Sequence, residues 1–301
     1  MQHIQLSKDG PSYSSIAWGV MLWGEWGRNY GPSEMLRLIH EGLEVGLTTY
    51  DHADIYGHYQ TEAVFGEAMF LQPGLRQRLQ LISKCGICLP TSRRPHFLLK
   101  HYNTTRDYIL KSVHESLRNL KTDYLDLFLI HRPDPLMNPD EVAQALQELV
   151  QSGKVREVGV SNFSPSQFSL LGSRIQLVTN QVQASLTHPV PMFDGTFDQL
   201  RQFGIRPMAW APLGEGVFTQ PAPNEAVARI HACLEMLSKK YEATADQLLL
   251  AWLMRHPSAP IPVIGTGRAD RMQAAVAALD LVLDRQDWFL LLQAAMGQEV
   301  P

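Results

Sequence analysis

The stretch YLDLFLIHRPDP, residues 124–135, is a short, largely apolar run that ends on an imidazole and a turn holding Pro133 and Pro135. A run this short, bounded by prolines, reads as a buried strand, with His131 standing just past its end. Two further stretches repeat the pattern. TTYDHADIYG (48–57) places Asp51 and Tyr56, and LQLISKCG (79–86) places Lys84, at or just beyond the end of an apolar run.

Working outward, the strand candidates are Ile16–Met21, Leu47–Tyr50, Leu79–Lys84, Asp126–Ile130, Glu157–Val160, Leu177–Gln181, Arg206–Trp210 and Ile261–Ile264. Between them lie segments with helical periodicity: Ser33–Val45 after Pro32, Arg106–Asn119 after Thr104-Thr105, and Pro139–Val150 after Asn138. Glu225–Lys240, Thr244–Arg255 and Arg268–Leu279 follow. Strands alternating with helices, without a break in composition, predict an α/β fold: a (β/α)8 TIM barrel formed by residues 1–301 as a single domain. Residues His3–Ser14, with the turn signal Asp9-Gly10, predict an N-terminal β-hairpin closing the bottom of the barrel, and Arg285–Gln293 predicts an extra C-terminal helix. The loops Gly86–Thr105 and Ala211–Asn224 are long, and in such a barrel the loops after the strands build the site face.

Composition excludes several classes of function. The 301 residues carry 45% hydrophobic and 19% charged side chains, an ordinary globular balance. A net charge of −4 and a pI near 6.3 give no electrostatic footprint for nucleic acid or a membrane surface, and Arg93-Arg94 is too short to supply one. No apolar run reaches membrane-spanning length, and from Met1-Gln2-His3 no signal peptide is expected. Three cysteines, an odd number, fit a reducing compartment, so a cytoplasmic location is expected. Cys85 and Cys88 form a C-x-x-C, but it continues a strand instead of opening a helix and has no second pair, so the cysteines read as small residues at a strand end.

Asp51, Tyr56, Lys84 and His131 each have a structural reading: a turn cap, a packed aromatic, a solvated strand end, a satisfied core imidazole. Gathered on one barrel mouth they make a proton-transfer apparatus. A phenol is a sluggish acid near neutrality because its ordinary pKa is about 10. A neighbouring ammonium lowers that pKa, so Lys84 would tune Tyr56, Asp51 would hold Lys84, and His131 would address a carbonyl oxygen. No metal is required.

Asp51-His-Ala-Asp-Ile-Tyr56-Gly57 resembles the signature of the aldo-keto reductase family, and the chain looks most similar to its bacterial general-oxidoreductase branch. Lys84, Leu129-Ile-His131, Gly159-Val-Ser161-Asn162-Phe163, Thr179-Asn180-Gln181, Ala209-Trp210-Ala211-Pro212-Leu213-Gly214 and Ile261-Pro262 extend the resemblance, in order, along essentially the whole chain. It implies a catalytic tetrad of Tyr56 (general acid), Lys84, Asp51 and His131, with Ser161, Asn162 and Gln181 holding the nicotinamide carboxamide. Trp210, where the family usually has tyrosine, would stack on the nicotinamide, and Leu213, Gly214 and Gly216 would cover the pyrophosphate. Gly265, Thr266, Gly267, Arg268 and Arg271 would form the adenosine site, where Arg268 and Arg271 suit a 2′-phosphate and favour NADP(H) over NAD(H). Two positions depart from the pattern: many relatives have lysine at Gly265, and an asparagine that contacts adenine is Ala275 here. Alone, Gly265-Thr-Gly267 would be an ordinary turn, and without a G-x-G-x-x-G no Rossmann domain is indicated.

The expected function is NADPH-dependent reduction of small aldehydes or ketones, with Trp23 and Tyr102 as candidate substrate contacts. A non-catalytic, cofactor-binding regulatory subunit and a Schiff-base aldolase acting through Lys84 are the alternatives. A closed barrel leaves no sheet edge needing a partner, so a monomer is expected.

Overall fold

The computed structural model describes residues 1–219 and 224–300; residues 220–223 of the long loop that follows the seventh strand lie outside the described residues. Eight strands close into a parallel barrel, adjacent in the order in which they occur in the chain. They are Ala17–Gly19, Thr49–Asp51, Gln80–Cys85, Leu125–Ile130, Val155–Ser161, Asn180–Gln183, Met208–Trp210 and Ile261–Ile264. This is the (β/α)8 barrel that the alternation of elements predicts. The fourth strand comes within one residue of its predicted start. The sixth begins three residues later than predicted, because ladder pairing starts only at Asn180, opposite Val160.

By its contacts the chain divides into two compact units, Met1–Gln181 with Gly265–Ala269, and Val182–Ile264 with Asp270–Pro301. In the first, an antiparallel hairpin pairs His3–Gln5 with Ser12–Ser14. Ser14 exchanges hydrogen bonds with Thr49 at the start of the second barrel strand, at 2.9 and 3.1 Å. Tyr13 donates to Glu157 at 2.8 Å and to the Asp126 carbonyl at 3.0 Å, so the hairpin anchors at the bottom of the barrel, as expected. Helix starts follow local chemistry: Asn138 accepts from the amides of Asp140 and Glu141 ahead of helix Pro139–Gln151, and Ser164 with Gln167 caps helix Pro165–Gly172.

In the second unit, helices Glu225–Tyr241, Ala245–Met254 and Arg285–Met296 bury Leu234, Leu249, Leu291 and Leu292 together. Trp252 and Trp288 stack at 5.0 Å, and each indole N–H donates to the other's carbonyl, at 3.0 and 2.8 Å. The additional C-terminal helix extends to Met296, beyond its predicted end. Among the described residues no helix is long and apolar enough to cross a membrane.

Helix Thr61–Phe70 was not evident from periodicity, because its buried face, Thr61, Glu62, Phe65, Gly66, Ala68 and Met69, mixes polar residues and glycine with apolar ones. It fits by close approach. A Cβ on Gly66 would stand 2.0 Å from the Asn119 carbonyl oxygen, at the end of helix Arg106–Asn119. Backbone cannot yield as a flexible side chain does, so Gly66→Ala is expected to cost about 1–3 kcal/mol. Chemical denaturation measures this; unchanged stability would show that the two helices do not meet so closely.

Candidate functional site

The third barrel strand builds the centre of the site. Side chains alternate along it: Ser83 donates to Glu62 on the surrounding helix Thr61–Phe70 at 2.6 Å, and Lys84 points the other way, into the barrel. There Lys84 is fully buried, and its ammonium donates to Asp51 Oδ2 at 2.7 Å, to the His52 carbonyl at 2.8 Å and to the Tyr56 hydroxyl at 3.3 Å. All three ammonium protons are thereby used. Asp51 ends the second strand, and its other oxygen accepts from Gln181 Nε2 at 3.0 Å. His131 follows the fourth strand, its ring 6.2 Å from that of Tyr56. The tetrad read from the sequence thus converges on one point.

Burial is the largest influence on Lys84 and works against its charge, but Asp51 and Tyr56 outweigh it and hold the ammonium above its ordinary range. For Tyr56 the sequence led us to expect a lowered pKa. Lys84 does pull in that direction, but desolvation of the buried phenol is larger and the net direction is upward. The phenol therefore stays protonated near neutrality, with a cation in place to receive its negative charge. Burial, reinforced by Lys84, Arg132 and Lys100, pushes His131 well below its ordinary range, so its imidazole is neutral.

Ser161 and Asn162 lie at the end of the fifth strand. Asn162, in the left-handed region with φ of 62°, donates to Ser161 Oγ at 2.8 Å and to the His131 carbonyl at 3.3 Å, and Ser161 Oγ donates to the Gln181 carbonyl at 2.8 Å. Asn180, whose role the sequence did not reveal, clasps the Phe163 backbone through both its side-chain atoms and fixes this corner. Amide and hydroxyl groups so placed suit a carboxamide, which both donates and accepts. The turn Gly265–Ala269 is gripped by the first strand and the loop after it: the indoles of Trp18, in the strand, and Trp23, in the loop, both donate to the Thr266 carbonyl, and Tyr30 donates to that of Gly267 at 2.9 Å. Among the described residues, chain neighbours apart, nothing lies within 4 Å of where a Gly265 Cβ would stand, so this turn is open just before the start of helix Ala269–Ala277.

Other candidates fall differently. Trp23, expected as a substrate contact, is instead fully buried among Trp18, Tyr50 and Phe65. It is Trp26 that packs edge-on against Tyr56, at 6.0 Å. Tyr102 is partly exposed on the short strand His101–Tyr102, paired with Ile87–Cys88. Arg271 is ion-paired with Asp246 at 2.7 Å. Thr266 Oγ1 accepts from the amide of Arg268 at 3.1 Å. In the second unit, Trp210 ends the seventh strand, and Gly214, Glu215 and Gly216 after Leu213 all adopt positive φ. Cys85 and Cys88 are unbridged and buried, and burial raises both thiols, which disfavours the reactive thiolate.

Comparison with known proteins accords with this geometry. The model of the aldo/keto reductase family matches residues 15–294, and the chain belongs to that family. It is an oxidoreductase acting at carbonyl or alcohol carbons, and the family works with nicotinamide cofactors. It is 47% identical over 309 residues to oxidoreductase YdhF of Escherichia coli, with 100% of each chain covered. It is 42% identical over 302 residues to a 6-dehydroglucose reductase of Agrobacterium fabrum, again with 100% of both covered. These relatives bear out the expected bacterial branch. The solved structure of the thermostable aldo-keto reductase Tm1743, in complex with the inhibitor epalrestat, matches with a TM-score of 0.81 at 28% identity over 98% of this chain and 100% of the other.

His52 makes the electrostatics testable. Its ring is fully buried, neither nitrogen has a hydrogen-bond partner among the described residues, and burial followed by Lys84 lowers its pKa to about 3. The unfolded chain protonates this histidine near its ordinary pKa of about 6.5 and the folded chain does not, so stability falls as pH drops from about 6.5 towards 3. His52→Leu forfeits no hydrogen bond and is expected to lose less melting temperature than the wild type between neutral pH and pH near 4. Equal losses in the two proteins would contradict the assignment.

Proposed function

We propose that this protein is an NADPH-dependent carbonyl reductase in which Tyr56 is the general acid. The observation that carries this reading is the Lys84 ammonium, shared between Asp51 and the Tyr56 hydroxyl at 2.7 and 3.3 Å. When bound, NADPH supplies the hydride to the carbonyl carbon. The neutral His131 imidazole orients the carbonyl by a hydrogen bond to its oxygen. As negative charge develops on that oxygen, the Tyr56 O–H bond breaks and its proton passes to the alkoxide, giving the alcohol. Lys84 then stabilises the phenolate, and solvent restores its proton. Ser161, Asn162 and Gln181 supply the hydrogen bonds that hold the carboxamide. The same ion pair opposes the aldolase alternative, since a Schiff base requires a neutral amine and Asp51 holds Lys84 charged.

Tyr56→Phe is expected to lower carbonyl reduction by about two to four orders of magnitude, the usual yield of a positioned acid, while NADPH still quenches protein fluorescence with nearly wild-type affinity. The substrate panel includes small aldehydes, small ketones and 6-dehydroglucose, the last because two full-length relatives are named for it. Persistent turnover in Tyr56→Phe would remove the acid from the mechanism.

The preference for NADPH is carried by arginines at the Gly265–Ala269 turn. Arg28 has no ion pair or side-chain hydrogen bond among the described residues, and its Cγ lies 3.3 Å from where a Gly267 Cβ would stand. Its guanidinium is therefore available beside the turn where Gly265 provides no cation. Arg28→Ala is expected to weaken NADPH binding and spare NADH. Fluorescence titration with both cofactors measures these effects, and parallel changes for the two would refute the arginine argument.

Residues 1–301 form one domain in this reading. Far-ultraviolet circular dichroism and tryptophan fluorescence are expected to report a single, coincident thermal transition, and two separated transitions would contradict it.

A further inference from the structure

Directly after Tyr56 the backbone makes a turn of left-handed helix. Gly57, His58 and Tyr59 have φ of 55, 54 and 69°. Glycine adopts this region without penalty, but for His58 and Tyr59 it is disfavoured, so neighbouring contacts must hold the turn. Side chains and backbone from neighbouring segments supply those contacts. Thr61 Oγ1 lies 2.5 Å from where a Gly57 Cβ would stand, so with its positive φ this position favours glycine. The Tyr59 hydroxyl accepts from the amide of Leu89 at 2.8 Å, with Arg94 4.9 Å over its ring. Glu25 completes the set: its Oε2 is 3.0 Å from His58 Nδ1, and Arg93 donates to Oε1 at 2.9 Å and to Oε2 at 3.4 Å.

Glu25, His58 and Arg93 belong to the loops after the first, second and third strands, so one carboxylate ties three loops together. Those two bonds hold Glu25 below the ordinary carboxylate range, so it is ionised at neutral pH and can only accept. The residue beside it, Trp26, is wedged between the rings of Tyr56, 6.0 Å away, and His58, 5.6 Å away. The loop that carries the clamp therefore also carries the aromatic wall against the phenol.

We propose that Glu25 is a positioning residue for the reaction: with Arg93 it clamps the left-handed turn and so holds the Tyr56 hydroxyl on Lys84, with Trp26 seated beside it. This role rests on Tyr56 as the general acid. Glu25 itself touches neither Lys84 nor the reacting atoms.

Two readouts on the full-length protein test it. Hydrogen exchange of the peptide spanning residues 55–60 reads the clamp without reference to turnover, and Glu25→Ala is expected to speed it. In carbonyl reduction, Glu25→Ala is expected to lower kcat by about threefold to tenfold, as suits a partly exposed charged network, while NADPH affinity and melting temperature stay near wild type. Glu25→Gln keeps an acceptor for His58 but loses the charge that holds Arg93, so its loss is smaller. Arg93→Ala added to Glu25→Ala is expected to lower kcat little further, because both act through one tie. Unchanged exchange in Glu25→Ala overturns the clamp. Faster exchange with unchanged kcat in Glu25→Ala, where Tyr56→Phe alone abolishes turnover, overturns the positioning role. Turnover indifferent to Tyr56→Phe sinks the acid itself, and exchange then decides the clamp alone.

Discussion

The buried ion pair of Lys84 and Asp51 is the interaction on which the rest of the site depends. Moving an ammonium and a carboxylate out of water costs several kcal/mol for each ion, and their attraction repays this only when further hydrogen bonds are in place. Here the His52 carbonyl and Gln181 supply them, so neither ion is left with a single partner. Such a pair adds little to stability compared with well-packed apolar side chains. Its value lies in chemistry. It places a fixed positive charge beside a phenol that burial would otherwise keep from ionising, among buried groups where the charge acts strongly.

The barrel serves that pair. Parallel strands bring Asp51, Lys84, His131, Ser161 and Gln181 to the same end, and register aligns Gln181 with Ser161 and Asp51 with Ile82. Tyr56 differs because it lies beyond its strand, at the start of an unfavourable backbone turn. A strand positions its side chains through the sheet, whereas Tyr56 needs contacts from neighbouring loops. Those loops consequently carry the ionic contacts made by Glu25, Arg93 and Arg94.

Much of this was legible in the sequence. The tetrad could be read because each member follows a short apolar run whose strand character is local, and the helix Arg106–Asn119 was bounded correctly by its flanking signals. Less visible was anything that depends on which way a loop turns. Trp23 and Trp26 lie in the same loop with the same chemistry, yet one fills the core and the other faces Tyr56. Glu25 and Arg93 meet across 68 positions of sequence, and Arg93-Arg94 reads in isolation as a basic patch too small to matter. The direction of the Tyr56 pKa was also out of reach, because it is set by the balance of burial against Lys84.

The central claim is that the proton leaves Tyr56 as hydride reaches the carbonyl carbon. Isotope effects on kcat/KM test it most directly, using cofactor with and without deuterium at nicotinamide C4, in water and in heavy water. The account predicts that both substitutions slow the same step, so that the solvent effect persists with deuterated cofactor. A deuteride effect with no solvent effect at all would contradict it.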